Sequence, residues 1–330
     1  MVPSQADRRM EELNKSKQAA ALALAAVLVL TGSAQALFGK KDTVEEGAPT
    51  VRELEIRTYR GIPYRARFLA QGGEELTFSL AQAPRKGTVV IEGDAFTYAP
   101  DEGLTGNDHF TYTATDAQGR TSRPAAVSVR IEKTRSGVSY EDMAGNDAAF
   151  AAQDLAEAGI FTGDRIGGKY RFEPERPVSR QEFLAMAMET LGIPASAVTM
   201  TGFCDDEAIP TWAKAYAASG VSAGLVRGKA TPQGAAFLGE APITFNQAAA
   251  ILDRGLDLND VDLDVWYGDR EMASSWAAQA VGNLEAARVL SVGSFGSMTM
   301  ERPLTRADAA LILSAARSVL ADGESAGLFS

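Results

Sequence analysis

The amino-acid sequence predicts a multidomain protein in which an all-β sandwich is followed by an all-α region made of three similar units. Residues 49–133 contain short apolar runs that alternate with period two, which is typical of strands. Beyond residue 138 the apolar residues recur with helical spacing. There, a Pro-aliphatic-Ser/Thr-x-x-acid/amide pattern occurs at residues 177–182, 242–247 and 303–308, which indicates an internal repeat. With 330 residues, of which 45% are hydrophobic, the chain can bury more than one core.

Residues 1–36 predict a secretory signal peptide. Basic residues at positions 8, 9, 15 and 17 precede an apolar run over residues 19–30, and an A-x-A cleavage pattern ends at Ala36. The alternative is a retained membrane anchor, but this run is shorter than the ~20 residues that a spanning helix needs. We therefore expect export and no membrane attachment after cleavage. Residues 37–48 are charged and turn-rich, and they predict a spacer.

Composition argues against several classes of function. A formal net charge of −11 disfavours general nucleic-acid binding, which needs a basic surface. The only histidine, His109, lies in a strand-like run, and the sequence contains no recognisable nucleophile–base pair, zinc spacing or phosphate loop. The only cysteine, Cys204, cannot form an internal disulfide and is interpreted as a small buried residue. We expect no enzyme activity, no cofactor and no metal.

Seven strands are predicted between residues 49 and 133, separated by clusters of Gly, Pro and Asp. This number of short strands in one region is typical of a β-sandwich. The predicted strands are residues 54–59, 64–68, 76–80, 87–91, 95–98, 109–113 and 126–131.

The same region resembles a bacterial immunoglobulin-like or cadherin-like domain. The resemblance rests on Tyr-x-Pro at residues 98–100, Gly-x-x-Gly-x-Asp-x-Phe-x-Tyr at residues 103–112 and Asp-x-x-Gly at residues 116–119. It implies an extracellular spacer or adhesive module, and some members bind calcium between domains. The acidic loop residues that could supply oxygen ligands are Asp101, Glu102, Asp108 and Asp116. Acidic loop residues are more often turn formers, and we favour that interpretation.

A short polar linker, residues 134–137, precedes the three copies, which we place at residues 138–200, 201–260 and 261–320, followed by a tail at residues 321–330. Each proline pattern predicts a capping box, in which a Ser or Thr side chain and an acid or amide three residues later satisfy the first backbone N–H groups of a helix. The pairs are Ser179 with Glu182, Thr244 with Gln247, and Thr305 with Asp308. An earlier helix is predicted in each copy.

These three copies resemble S-layer homology domains. The motif elements are an aromatic-x-Asp, a Trp-Ala, a Gly-x-x-x-Gly and a Ser/Thr-Arg helix start, which recur in order although no copy has them all. The resemblance implies a three-pronged helical module with pseudo-threefold symmetry that binds a pyruvylated secondary cell-wall polysaccharide without covalent chemistry. It also implies glycan-binding residues, with no catalytic residue among them. Carried over by position, these are Arg180, Arg306, Asp142, Asp205, Asp269, Trp212, Trp276, Gly163 and Gly228.

The arginines have a physical argument of their own. Arg180 and Arg306 fall at the first position of a helix, where a cation faces the positive end of the helix dipole at a cost of ~0.3–1 kcal/mol. A carboxylate ligand would offset this cost by binding both the guanidinium and free N–H groups of the helix start. The alternative is that each arginine pairs with a neighbouring acid. For Trp212 and Trp276, burial in the core is as reasonable as stacking on a sugar.

Each copy also departs from the pattern. Phe245 replaces the arginine in copy 2, and Asp147 replaces the tryptophan in copy 1. Arg288 and Val292 replace the glycines in copy 3, although a β-branched side chain fits poorly where φ is positive. We therefore expect at most two anion sites, at Arg180 and Arg306.

Two hypotheses about function follow. In the first, the protein is exported to the cell surface and anchored non-covalently to the wall polysaccharide through the triplet, presenting one immunoglobulin-like domain. In the second, the triplet is a structural or assembly module that packs against other surface proteins and binds no glycan. Substitution of Arg180 and Arg306 distinguishes the two.

Overall fold

The computed structural model describes residues 46–73, 75–267, 276–290 and 298–325. The predicted signal peptide, Asp269 and Val292 lie outside the described residues. Within those ranges, no helix has the length and apolarity that crossing a bilayer would require.

The first part of the chain is a sandwich of two main sheets. One sheet has the strand order β2-β9-β8-β5 and the other β3-β7-β6, and the short strands β1 and β4 pair with each other. Among these described strands, only β2 and β9 pair in parallel; the other pairs are antiparallel. The strands are β1 Thr50–Val51, β2 Leu54–Tyr59, β3 Tyr64–Arg67, β4 Ala70–Gln71, β5 Thr77–Gln82, β6 Gly87–Glu92, β7 Ala95–Pro100, β8 Gly106–Thr115 and β9 Ala125–Glu132.

All seven predicted strands are therefore confirmed, with bounds that differ by a few residues. Alternation places one face of each strand in the core, because successive side chains point to opposite sides of a sheet. In β8 the buried set includes Phe110, whose ring meets those of Phe96 and Tyr98 of β7, and Tyr112, whose ring stacks on that of Phe68. Two of the acids considered as calcium ligands have structural roles. Asp108 lies in β8, not in a loop, and accepts bonds from the backbone N–H groups of residues 85, 86 and 109. Asp116, in the loop after β8, accepts from those of residues 118 and 120.

The second part mixes helices with short strands. Its elements are α1 Ala149–Glu157, β10 Asp164–Ile166, β11 Lys169–Arg171, α2 Arg180–Thr190, α3 Thr211–Ser222, β12 Lys229–Thr231, β13 Gly234–Ala236, α4 Phe245–Leu256, α5 Leu263–Tyr267, α6 Ala278–Ala286 and α7 Arg306–Ser325. The prediction of an all-α region is wrong, because copies 1 and 2 each contain a hairpin, β10–β11 and β12–β13. Strands of three residues are too short to show a period in the sequence.

The capping boxes are confirmed in all three copies. Ser179 and Thr244 accept from the backbone N–H of Glu182 and Gln247, whose side chains bond back to the cap residue. At the start of α7, Thr305 Oγ1 accepts from the N–H of Asp308, and the Thr305 N–H donates to the Asp308 carboxylate at 2.8 Å. Each box fixes where the second helix of its copy begins.

The three copies meet in a closed ring of backbone hydrogen bonds. Val178 N–H donates to Leu304 O at 2.9 Å, Leu304 N–H to Ile243 O at 2.8 Å, and Ile243 N–H to Val178 O at 3.0 Å. The three side chains are buried. Around this ring the first helix of each copy packs on the second helix of the preceding copy: α3 on α2, α6 on α4, and α1 on α7.

The sandwich contacts α1 directly. Phe150 stacks on Tyr59 with ring centres 5.7 Å apart and meets Tyr64 edge-on at 4.7 Å. Asp154, which is 1% exposed, accepts from Arg57 Nη2 at 2.6 Å and from Tyr59 Oη at 3.3 Å. From the other side, Asp154 accepts from Ser314 Oγ and Arg317 Nε of α7, at 2.9 and 3.2 Å. The predicted linker is held by Glu157, whose carboxylate accepts from the backbone N–H groups of residues 135 and 136.

Candidate functional site

In copies 1 and 2 the aspartate of the aromatic-x-Asp motif accepts hydrogen bonds from backbone N–H groups. Asp142 accepts from the N–H groups of Phe172 and Glu173 at 2.9 and 2.8 Å. Asp205 accepts from those of residues 237 and 238 at 2.7 and 2.8 Å. Residues 173 and 238 both have a positive φ, of 53° and 56°. Each aspartate therefore fixes the turn that follows a hairpin, and its carboxylate oxygens are already engaged.

The two glycines allow the hairpins to approach closely. A Cβ on Gly163 would collide with the carbonyl oxygen of Arg171, and Gly163 also has a φ of 67°. A Cβ on Gly228 would lie 2.7 Å from Ala235 Cβ and 2.8 Å from Cε1 of Phe203. Both glycines shape the loop that leads into each hairpin, because any side chain would displace the second strand.

The helix starts do not offer free N–H groups, and that part of the prediction is wrong. Arg180 N–H donates to Ala241 O at 2.9 Å, and Gln181 N–H donates to Gly239 O at 3.0 Å. Equivalent bonds at α7 join Arg306 N–H to Arg176 O and Ala307 N–H to Pro174 O. The neighbouring copy supplies these carbonyls, so only the side chains remain available to a ligand.

The side chain of Arg306 is buried and already interacts with acidic groups of the protein. It is 6% exposed, and its Nη1 lies 2.9 Å from Asp164 Oδ2, 3.6 Å from Glu173 Oε2 and 3.0 Å from the carbonyl oxygen of Phe172. Its guanidinium also lies over the ring of Phe161, 5.0 Å from the ring centre. For this arginine the structure supports the alternative of a neighbouring acid, and its charge is balanced within the fold.

The positive charge of Arg180, in contrast, is not neutralised by any described acid. Its Nη2 donates to Arg227 O at 3.0 Å, its guanidinium carbon lies 5.6 Å from the centre of the Phe237 ring, and its buried Nε has no hydrogen-bond partner. Among the described residues it forms no ion pair with a carboxylate. Burial lowers the pKa of Arg180, and the nearby positive charge of Arg254 lowers this pKa further. A half-buried guanidinium beside a like charge is costly unless an anion completes the site.

Comparison of the two sites shows why they differ. The hairpins of copies 1 and 2 align with an offset of 65 residues, so Lys229 occupies the position of Asp164 and Leu238 that of Glu173. The same offset places Arg254 where copy 1 has Glu189. The acids that neutralise Arg306 are thus replaced, around Arg180, by a base and an apolar residue. The result is a local positive region on a chain of net charge −11.

At the remaining boundary, between copies 2 and 3, the motif position holds a phenylalanine instead of an arginine. Phe245, at the motif position of copy 2, lies under the guanidinium of Arg302, 4.8 Å from its ring centre. Arg302 in turn makes two hydrogen bonds to the Asp308 carboxylate, at 2.7 and 3.0 Å.

The tryptophans are on the surface. Trp212 is 50% exposed and Trp276 is 65% exposed, so neither is buried in the core. Trp212 is the second residue of α3, whereas the loop that contacts Arg180 follows the other end of that helix. A helix of 12 residues is about 18 Å long, so Trp212 does not belong to the Arg180 site.

Cys204 is exposed, and its interpretation as a buried residue is wrong. Its N–H donates to Ala235 O at 2.9 Å, and its Sγ lies 3.6 Å from Thr231 Oγ1. The chain here runs along the outside of the β12–β13 hairpin, which leaves the side chain in solvent.

The sequence comparison identifies the sandwich. A family model of the bacterial Ig domain matches residues 46–130, and domains of this kind are typical of bacterial surface and extracellular proteins. A comparison with curated proteins gave no match.

Solved structures resemble the chain only over part of its length. A fibronectin(III)-like module structure from Clostridium thermocellum has 14% identity over 26% of this chain and 99% of that chain, with a TM-score of 0.18. A human PKD domain has 16% identity over 33% of this chain and 98% of that chain, with a TM-score of 0.22. An endo-fucoidan hydrolase of glycoside hydrolase family 107 has 16% identity over 27% of this chain, with a TM-score of 0.23. The match spans 14 to 18% of the three endo-fucoidan hydrolase chains, too little to bear on function.

The sequence interpretation missed Lys229 and Arg254. Neither belongs to the motif positions, and each is an ordinary surface base when considered alone. Their signal is the charge difference between aligned copies, in which two acids of copy 1 become two bases in copy 2.

Proposed function

We propose that the protein is held at the bacterial cell surface by non-covalent binding of an acidic cell-wall polysaccharide at the Arg180 site, and that it presents the Ig-like sandwich from there. The observation that carries this proposal is the unpaired guanidinium of Arg180, which no described carboxylate neutralises. Arg is suited to a carboxylate such as a pyruvyl ketal because its N–H groups can bind two oxygens at once. The likeness of the triplet to S-layer homology domains supports the same ligand class.

One competent site is proposed, at Arg180. Arg306 is already paired with Asp164, and Phe245 has no charge to offer. The exposed ring of Trp212 remains available for stacking on a sugar at a separate point of a long polymer.

The test is co-sedimentation of the purified chain with cell-wall sacculi, before and after chemical removal of the wall-bound polysaccharide. Loss of charge-assisted hydrogen bonds should make Arg180→Ala bind about 10- to 100-fold more weakly. The matched control is Arg67→Ala, because Arg67 is an exposed arginine of the sandwich whose acid partner among the described residues is Asp94. This control should bind like the unmodified chain.

The competing function is assembly through protein contacts. It predicts binding that survives both polysaccharide removal and Arg180→Ala. Such a result would refute glycan anchoring through this site.

A further inference from the structure

A group of bases extends the Arg180 site. Arg254, in the last turn of α4, donates from Nη1 to Leu225 O at 2.9 Å, and Arg180 donates to Arg227 O two residues further along the same loop. The two guanidiniums are close enough that the charge of Arg254 lowers the pKa of Arg180. The segment 225–227 thus brings together two cations from different copies.

This group lacks ion pairs within the described part of the chain. Arg227, Lys229 and Arg254 are all exposed, and none forms an ion pair with a described residue. Asp253, the acid next to Arg254 in sequence, accepts from Asn283 Nδ2 at 2.8 Å; its charge interacts with that of Arg254, but the two side chains form no ion pair.

The matching region of copy 1 behaves differently. Asp164 pairs with Arg306 and with Arg176, and Glu189 accepts from Tyr216 Oη at 2.8 Å. At an offset of 65 residues, copy 2 has a lysine in place of Asp164 and an arginine in place of Glu189, so it lacks the acid that pairs with Arg306 and Arg176 in copy 1.

We propose that Arg180, Arg254 and Lys229 act together as one cationic site, which takes an oligosaccharide segment carrying more than one acid group. A single carboxylate would satisfy Arg180 and leave the neighbouring charges repelling one another. A ligand with several acid groups neutralises the whole group, which gives the site a preference for a polymer of high charge density. Arg254 and Lys229 are therefore specificity-determining residues.

This inference rests on the proposed function, and a salt series separates the two. Binding of the full chain to sacculi is measured from low ionic strength to about 0.3 M, where the Debye length falls below ~8 Å. Arg254→Gln and Lys229→Gln should each weaken binding about two- to fivefold and flatten the salt dependence. Arg254→Lys, which keeps the charge, should restore the salt dependence. Lys169→Gln is the control, because it removes a base from the β11 strand of copy 1 without touching this site.

Three outcomes are informative. Weaker binding and a flatter salt dependence in Arg254→Gln and Lys229→Gln, with Lys169→Gln unchanged, support the multivalent site. If Arg180→Ala loses binding but both glutamine variants match the unmodified chain at every salt concentration, the inference is wrong and the proposed function stands. If Arg180→Ala itself binds normally, both are wrong. Unchanged thermal midpoints in the glutamine variants would show that any loss is not due to unfolding.

Discussion

At the scale of single residues, the surroundings of a motif position decide its role. Arg180 and Arg306 hold the same place at the start of their helices, yet Arg306 is neutralised by Asp164 and Glu173 while Arg180 is not. The acids around Arg306 lie more than a hundred residues away in sequence, so the motif alone could not reveal the pairing. Each arginine contacts the hairpin of another copy, and the residues of that hairpin set its charge balance.

The hydrogen bonds of Asp206 should make the stability of the fold depend on pH. Its carboxylate accepts from Lys214 Nζ and from the N–H and hydroxyl of Thr201, which lower the pKa of Asp206 to about 2. The unfolded-state pKa is about 3.9, so these contacts stabilise the fold fully only above that pH and are lost as the pH falls through about 2. We expect Asp206→Asn to lower the urea midpoint at pH 7, with the difference from the unmodified chain disappearing near pH 2.

The control for this prediction is Glu207→Gln, because Glu207 is the exposed neighbour of Asp206 in the same turn. This substitution should leave the urea midpoint unchanged across the whole pH range. A constant difference between Asp206→Asn and the unmodified chain, independent of pH, would contradict the assignment.

At the scale of elements, the first helix of each copy ends in the same way. A residue with positive φ follows each of these helices: Gly159 after α1 (72°), Gly224 after α3 (74°) and Arg288 after α6 (62°). In each case the N–H of the next residue donates a hydrogen bond back to a carbonyl of the helix. This left-handed ending is the usual place for glycine. Copy 3 thus keeps the backbone conformation although it has lost the glycine.

Arg288→Gly should stabilise the protein, and Gly224→Ala should destabilise it. A side chain at positive φ costs about 1 kcal/mol, which exceeds the gain from a less flexible unfolded chain, and a Cβ on Gly224 would meet no atom within 4 Å, so no new contact offsets the strain. Denaturant unfolding should show shifts of about 0.5–1 kcal/mol in opposite directions. Shifts in the same direction would mean that contacts of the Arg288 side chain outweigh the strain.

The elements show how far the sequence can be used for prediction. Period-two alternation located all seven strands of the sandwich, and the capping boxes located α2, α4 and α7, because both signals are local. The hairpins β10–β11 and β12–β13 were missed because strands of three residues carry no periodicity. Of the proposed site, Arg180 was predicted from its motif position, whereas Lys229 and Arg254 required the alignment of one copy with another.

At the scale of the whole molecule, one buried carboxylate joins the sandwich to both ends of the triplet. Asp154 belongs to copy 1 and binds Arg57 of β2 together with Ser314 and Arg317 of α7. The aromatic contacts of Phe150 with Tyr59 and Tyr64 add apolar packing at the same place. The two parts of the chain are therefore connected through side chains as well as through the linker.

Removal of the Asp154 carboxylate should destabilise the sandwich and the triplet together. Asp154→Asn leaves Arg57 and Arg317 without their acid, and we expect a loss of about 1–3 kcal/mol in unfolding free energy, since both arginines are partly exposed. Hydrogen exchange should rise in peptides from β2 and from α7. The control is Asp147→Asn, which changes an exposed acid just before α1 and should alter neither the unfolding free energy nor the hydrogen exchange. Faster exchange confined to α1 would contradict a role in joining the parts.

The hydrogen-bonded ring of Val178, Ile243 and Leu304 restricts how the number of copies can change in evolution. An open stack of repeats can gain or lose one unit at an end, because each unit contacts only its neighbours. Here each copy donates to one partner and accepts from the other, so deletion of one copy would leave a buried donor and a buried acceptor unmatched. Duplication of a single copy would have no place in the ring. Expansion should therefore proceed by whole triplets, while divergence within a triplet, as at Arg180 and Arg306, remains free.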